Sequence, residues 1–144
     1  MTVMAIDHGL RKIGVAVSDA TATLARPLVI LKHIAREVDA RNVLDLALKH
    51  EATTIVVGQS LDENGEPNAA GRNAGRFADE LRRLGPMTVV LWDESLSTKD
   101  ARAMRIQAGL SRKRRNAADD ALAAAVILQS YLDAAGLPDI STEP

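Results

Sequence analysis

The stretch from Met4 to Asp19 constrains this chain more than any other. Two short apolar runs, Val3–Ile6 and Ile13–Val17, flank a polar turn. Both runs are rich in β-branched residues, so they read as strands. Gly9 and Gly14 suit the tight connection between them. The chain therefore opens with a β-hairpin, and Asp7 stands where its first strand gives way to the turn. An Asp at a strand end is often only a turn residue, its carboxylate bonded to a nearby N–H. It can equally present a carboxylate to a ligand from a rigid base. Arg11 and Lys12 follow across the turn, close enough to meet an anion held near Asp7.

The rest of the chain narrows the choice. At 144 residues, 47% of them hydrophobic, one domain with a proper core is expected. One Trp, one Phe and one Tyr leave that core aliphatic and argue against modules that stack bases on aromatic platforms. The absence of Cys excludes disulfides and thiolate metal sites and suits the cytosol. No signal peptide or membrane span is read, so a cytoplasmic protein without a membrane partner is expected. The net charge of −1 conceals a polarity: Lys99 to Arg115 holds seven basic residues and one acid, Asp100. That segment carries +6 and the remainder −7. A solvated helix face explains many such runs, but four consecutive bases, Arg112, Lys113, Arg114 and Arg115, suggest a polyanionic partner.

Read in order, Leu28–Leu31 is a third strand, with Pro27 suiting an edge position. A helix follows over 36–50, with Val43, Leu44, Ala47 and Leu48 on its apolar face. Thr53–Val57 is a strand stopped by Gly58, and 59–68 is a polar, mobile loop. Ala70, Ala74, Phe77, Leu81 and Leu84 mark a second amphipathic helix, ended by Gly85-Pro86. Thr88–Trp92 is a strand running into Asp93-Glu94. A third helix is predicted from Thr98 to about Ala108, then a basic loop. A last helix is capped by Asn116, with Asp119 reaching back as a capping box. The polar tail 136–144 lies beyond a domain of residues 1–135.

Three strands with short turns make an antiparallel meander, and the later, helix-separated strands cross over in parallel. The predicted fold is α/β: a mixed five-stranded sheet of order 3-2-1-4-5 with helices on both faces. Strand 1 is then central, and Asp7 and Glu94 leave neighbouring strand ends. With Asp119 spent on the cap, Asp120 is the third acid, aligned with Ala123, Ala124 and Ile127. Carboxylates beside an apolar face need a counter-charge. Hard oxygen donors select Mg²⁺ or Mn²⁺, and a two-ion site is suited to phosphodiester hydrolysis. His8, His33 and His50 have no metal-ligand spacing; His8 reads as a turn residue.

Four ordered motifs carry a resemblance to a known family. They are Asp7-His8-Gly9-Leu10-Arg11-Lys12-Ile13-Gly14-Val15-Ala16-Val17-Ser18-Asp19, Val56-Val57-Gly58, Asp93-Glu94-Ser95-Leu96-Ser97-Thr98, and Asp120 followed by Ala123-Ala124, Ile127-Leu128-Gln129 and Tyr131-Leu132. Over Val3 to Asp133 the chain resembles the YqgF/RuvX family, of the ribonuclease H-like superfamily. The resemblance implies a ribonuclease H-like fold with Asp7, Glu94 and Asp120 as catalytic, metal-binding acids. It implies Holliday-junction resolution or processing of the small-subunit ribosomal RNA precursor, leaving RNA and branched DNA both open as substrate, and a homodimer open as the assembly. Arg11, Lys12 and Arg112 to Arg115 are the expected nucleic-acid contacts. The chain departs from the family pattern in three places. Arg11-Lys12 reverses a Lys-Arg pair, Ser95 replaces an Arg, and Gln59-Ser60 replaces an apolar-Pro pair. Two other classes stand beside the nuclease: a non-catalytic nucleic-acid adaptor, which three clustered acids disfavour, and an ATP-binding lobe of the actin kind, for which the chain is too short.

Overall fold

The computed structural model describes residues 1–97 and 112–136, with the side chains of 97 and 112–120 excepted. Five strands form one sheet: β1 (Thr2–His8), β2 (Lys12–Ser18), β3 (Ala25–Lys32), β4 (Ala52–Gln59) and β5 (Thr88–Asp93). Their order is β3-β2-β1-β4-β5, as expected from the meander and the crossovers. β1 pairs antiparallel with β2 and parallel with β4, and β4 pairs parallel with β5. β3 is longer than the expected 28–31, and its pairing with β2 shifts where Pro27, lacking an N–H, faces Ala16.

Side chains alternate across the strands and feed two cores. Met4, Ile6, Val15, Ile55 and Val57 pack against α1 (Arg36–Lys49) and α2 (Ala69–Leu84). Val3, Ala5, Ala16 and Val56 pack against α3 (Arg112–Gly136). The apolar stripes are shifted slightly from expectation. Leu48 and Ala70 are exposed, while Ala40 and Gly71 are buried. Among the described residues, no helix is long and apolar enough to cross a membrane.

Three local expectations are corrected. Arg112 to Arg115 do not form a loop: they are the first turn of α3. Arg, Lys and Ala are strong helix formers, and no Gly or Pro separates them from the apolar run. Asn116 is therefore inside the helix, and the Asn116–Asp119 capping box does not exist. Residues 59–68 are not a slack loop. Leu61 bridges Pro67, and Asp62 accepts N–H bonds from Asn64 and Glu66 at 2.9 and 3.0 Å. The Asx geometry of a short acid in a turn supplies this order. His8 ends β1 rather than sitting in the turn, and stacks on Phe77 with ring centroids 4.6 Å apart. The predicted helix from Thr98, the basic residues Lys99, Arg102 and Arg105, and the tail beyond Gly136 lie outside the described residues.

Gly58 is where the sheet and α3 come closest. A Cβ built there would lie 2.6 Å from Ile127 Cδ1. Gly58→Ala should therefore destabilise the fold by about 1–2 kcal/mol through overpacking. Adding Ile127→Val, which shortens the opposing side chain, should recover most of the loss in chemical denaturation. A single variant as stable as the parent would contradict this packing.

Candidate active site at the carboxyl ends of the central strands

Asp7 follows Val3 and Ala5 on the α3 side of β1 by strand alternation. Its place is one residue beyond the last β1–β4 pair, Ile6 with Val57, which sets it beside Gly58. Gly58 in turn pairs with Trp92. Trp92 is fixed on the same face by Nε1 donating to Ser130 Oγ of α3 at 3.1 Å. Two residues after Trp92, a 3₁₀ turn over Glu94–Ser97 takes the chain off the sheet. Asp93 Oδ1 accepts from Ser95 N at 3.0 Å and stabilises that departure. The Glu94 carboxylate folds back over Gly58, its Oε2 3.5 Å from where a Cβ would stand. Asp7 and Glu94 thus flank a gap that a glycine leaves open.

Glu94 is half-buried, and its pKa is raised. Burial is the first cause, the neighbouring Asp93 charge the second, and a hydrogen bond from Ser60 opposes both. A carboxylate held against its own ionisation at the end of a sheet is suited to a cation or a proton. Ser60 escaped the sequence reading as a site residue. Its position two residues after Gly58, on the same strand parity, was the available signal.

α3 runs with its N-terminal end toward these strand ends. Gln129 Oε1 accepts from Ala25 N at 3.0 Å near the far end of the sheet, while Ile127 covers Gly58. Asp120 lies seven residues before Ile127 on this helix, and its side chain is outside the described residues. Ala124 and Ile127, expected beside it, are buried on the sheet, but Ala123 is exposed. Among the described residues, no three His, Asp or Glu side chains stand close enough to share a metal ion. Asp7 and Glu94 are brought to one end of the sheet; the third acid cannot be counted in that set.

Of the expected phosphate contacts, Arg11 and Lys12 are exposed at the β1–β2 turn, at the same sheet end as Asp7. The turn is closed by Gly9 N donating to Lys12 O at 3.0 Å and is tied to β3 by His33 N donating to Arg11 O at 2.8 Å. The Arg112–Arg115 side chains are outside the described residues. His8 lies on the opposite face from Asp7. It lines a cleft of about 290 Å³ with His33, Arg36 and Asn73. Burial lowers its pKa, with the Asp39 charge opposing, so the ring is neutral at pH 7 and is not placed to assist Asp7.

The raised Glu94 pKa has a measurable sign. In the unfolded chain a Glu titrates near ~4.3. Below that pH both states are protonated and the burial cost is absent. As pH rises through the higher folded value, ionisation increasingly disfavours the fold. Glu94→Gln should therefore raise the Tm of the metal-free protein at pH 7, and the gain should vanish near pH ~4. A lower Tm at pH 7 would contradict the electrostatics described here.

Comparison with known proteins identifies the arrangement. The match to the family described as RuvX, Holliday junction resolvase, covers residues 1–134. A protein of Halalkalibacterium halodurans, named as a candidate pre-16S rRNA nuclease, is 39% identical over 92% of this chain and 96% of its own. One of Myxococcus xanthus with the same name is 36% identical over 100% of this chain and 95% of its own. Among solved structures, Thermus thermophilus RuvC in complex with Holliday junction substrate aligns with a TM-score of 0.64 at 18% identity, covering 94% of this chain and 97% of that one. The Fowlpox virus resolvase bound to junction DNA aligns at 0.60 and 13%, covering 95% and 100%. The sheet with its two acids at the carboxyl ends of β1 and β5 has the RuvC-like ribonuclease H fold of these resolvases, and the chain belongs to the RuvX family of nucleases.

Proposed function

We propose that this protein hydrolyses phosphodiester bonds of the small-subunit ribosomal RNA precursor near its 5′ end, with Asp7, Glu94 and Asp120 as catalytic acids holding Mg²⁺ or Mn²⁺. The observation that carries the reading is the Glu94 carboxylate over Gly58, beside Asp7, with burial and Asp93 opposing its ionisation. Carboxylate oxygens are the donors that Mg²⁺ and Mn²⁺ prefer. Asp120 is supported by helix phase. Position 120 shares the stripe of Ala124 and Ile127, four and seven residues on, whereas position 119 shares that of exposed Ala123. A bound divalent ion supplies charge neutralisation for attack on phosphorus and for the departing oxygen. The chain's own part is to fix its carboxylates on rigid strand ends and to exclude bulk water from beneath them with Ile127. Water adds to phosphorus, the P–O3′ bond breaks, and the products are a 5′-phosphate and a 3′-hydroxyl.

The substrate assignment rests on relatives 33–39% identical that carry the pre-16S rRNA name. The family description favours a second substrate for the same acids, a four-way DNA junction. Arg11, Lys12 and the first turn of α3 offer charge to either backbone without reading bases. Cytoplasmic location fits either activity.

Asp7→Asn and Asp120→Asn should each abolish Mg²⁺- or Mn²⁺-supported cleavage with little change in Tm, while Asp119→Asn should keep it. Assays on precursor RNA and on junction DNA in parallel choose the substrate. Cleavage by Asp7→Asn at the parent's rate would refute the assignment.

The paired replacement of Arg114 and Arg115 by Ala should weaken binding about equally for all sequences. It should flatten the slope of log affinity against log salt by about one to two units, as for one or two lost phosphate contacts. A slope equal to the parent's would move the binding surface to Arg11 and Lys12.

A further inference from the structure

We infer that Ser60 is a positioning residue for Glu94: its hydroxyl, oriented by Asn68 at the start of α2, holds the carboxylate in the attitude that takes the divalent ion. The inference rests on the metal-site reading above and adds a residue to it.

The geometry is a chain of donors with little freedom. Asn68 is the N-cap of α2, and its Oδ1 accepts from Gly71 N at 2.9 Å. With the amide oxygen committed to the cap, the Asn68 Nδ2 group faces Ser60 and donates to its Oγ at 2.7 Å. A serine hydroxyl has one proton. Accepting from Asn68 leaves that proton to be given elsewhere, and the Glu94 carboxylate receives it. The backbone locks the same contact. Asn68 N donates to Ser60 O at 3.3 Å, and Gln59 Nε2 donates to Gly71 O at 3.1 Å. A Cβ at Gly71 would lie 2.0 Å from Ser60 O, so only glycine permits α2 to approach residue 60 this closely. Ser60 is thus fixed by the first turn of α2 from two sides and passes that order to Glu94. Without it, the Glu94 side chain would keep its place above Gly58 but lose a directional hold on one carboxylate oxygen. Outer-sphere partners of this kind orient metal ligands and commonly change metal affinity by about 10–100-fold when removed.

The test is direct Mn²⁺ titration of the full-length protein, read by the electron paramagnetic resonance signal of free Mn²⁺, with Tm measured alongside. Ser60→Ala should weaken Mn²⁺ binding by about 10-fold at an unchanged Tm. Ser60→Thr, which keeps the hydroxyl, should return binding to near the parent's. Parental affinity in Ser60→Ala overturns the inference. So does a loss that Ser60→Thr fails to restore or that comes with a fall in Tm, because Ser60 would then act through the fold alone. Asp7→Asn separates the two levels. If it binds Mn²⁺ as the parent does, or if the parent binds none, the metal site itself is overturned and the Ser60 inference with it. If it binds weakly while Ser60→Ala is parental, only the Ser60 inference fails.

Discussion

The missing side chain at Gly58 governs both the packing and the chemistry of this molecule. Below the sheet end, it lets Ile127 of α3 press against the backbone of β4. Above that contact, it lets the Glu94 carboxylate lie across the strand toward the place of Asp7. A larger residue would lift the helix or displace the acid, so one position couples the seating of α3 to the attitude of Glu94. The position carrying Asp120 rides on the same helix, two turns beyond Ile127. The depth at which α3 seats on Gly58 therefore sets how near the third acid can come to the other two.

The rigid side of this arrangement is the central strand. Val3, Met4, Ala5 and Ile6 are buried on both faces of the sheet. Such a strand tolerates little displacement, so Asp7 leaves it from a fixed base. The polar side opposes the fold: Glu94 ionises against burial and against Asp93. Acids so placed cost stability in the metal-free protein and are stabilised by a bound cation, the usual relation between a strained site and the scaffold that bears it. Ser60 and Asn68 answer part of that cost with neutral donors, which leave the carboxylate free to receive positive charge.

The sheet order was legible because strand length, β-branching and the spacing of helices leave few un-knotted topologies. Asp7 and Glu94 were legible because each stands where an apolar run ends. The start of α3 was misread because Asn116 has the chemistry of a cap. A preceding run of good helix formers carries the helix through it to Arg112, and local cap preference yields to propagation. His8 was misread because a glycine follows it; its stacking on Phe77, sixty-nine residues away, is a tertiary contact that no local pattern encodes. Ser60 was missed for a related reason. Its partners Asn68 and Glu94 come together only once α2 and β5 have packed on β4.

The central claim is that the carboxylates of Asp7, Glu94 and Asp120 share one divalent-cation site at the carboxyl ends of the central strands. Crystals grown with Mn²⁺ and measured at the manganese absorption edge test it most directly. The account predicts anomalous density within coordination distance of all three carboxylates, at ~2.0–2.2 Å for oxygen donors of a small divalent ion. Manganese bound without Asp120, or bound only elsewhere on the protein, would contradict it.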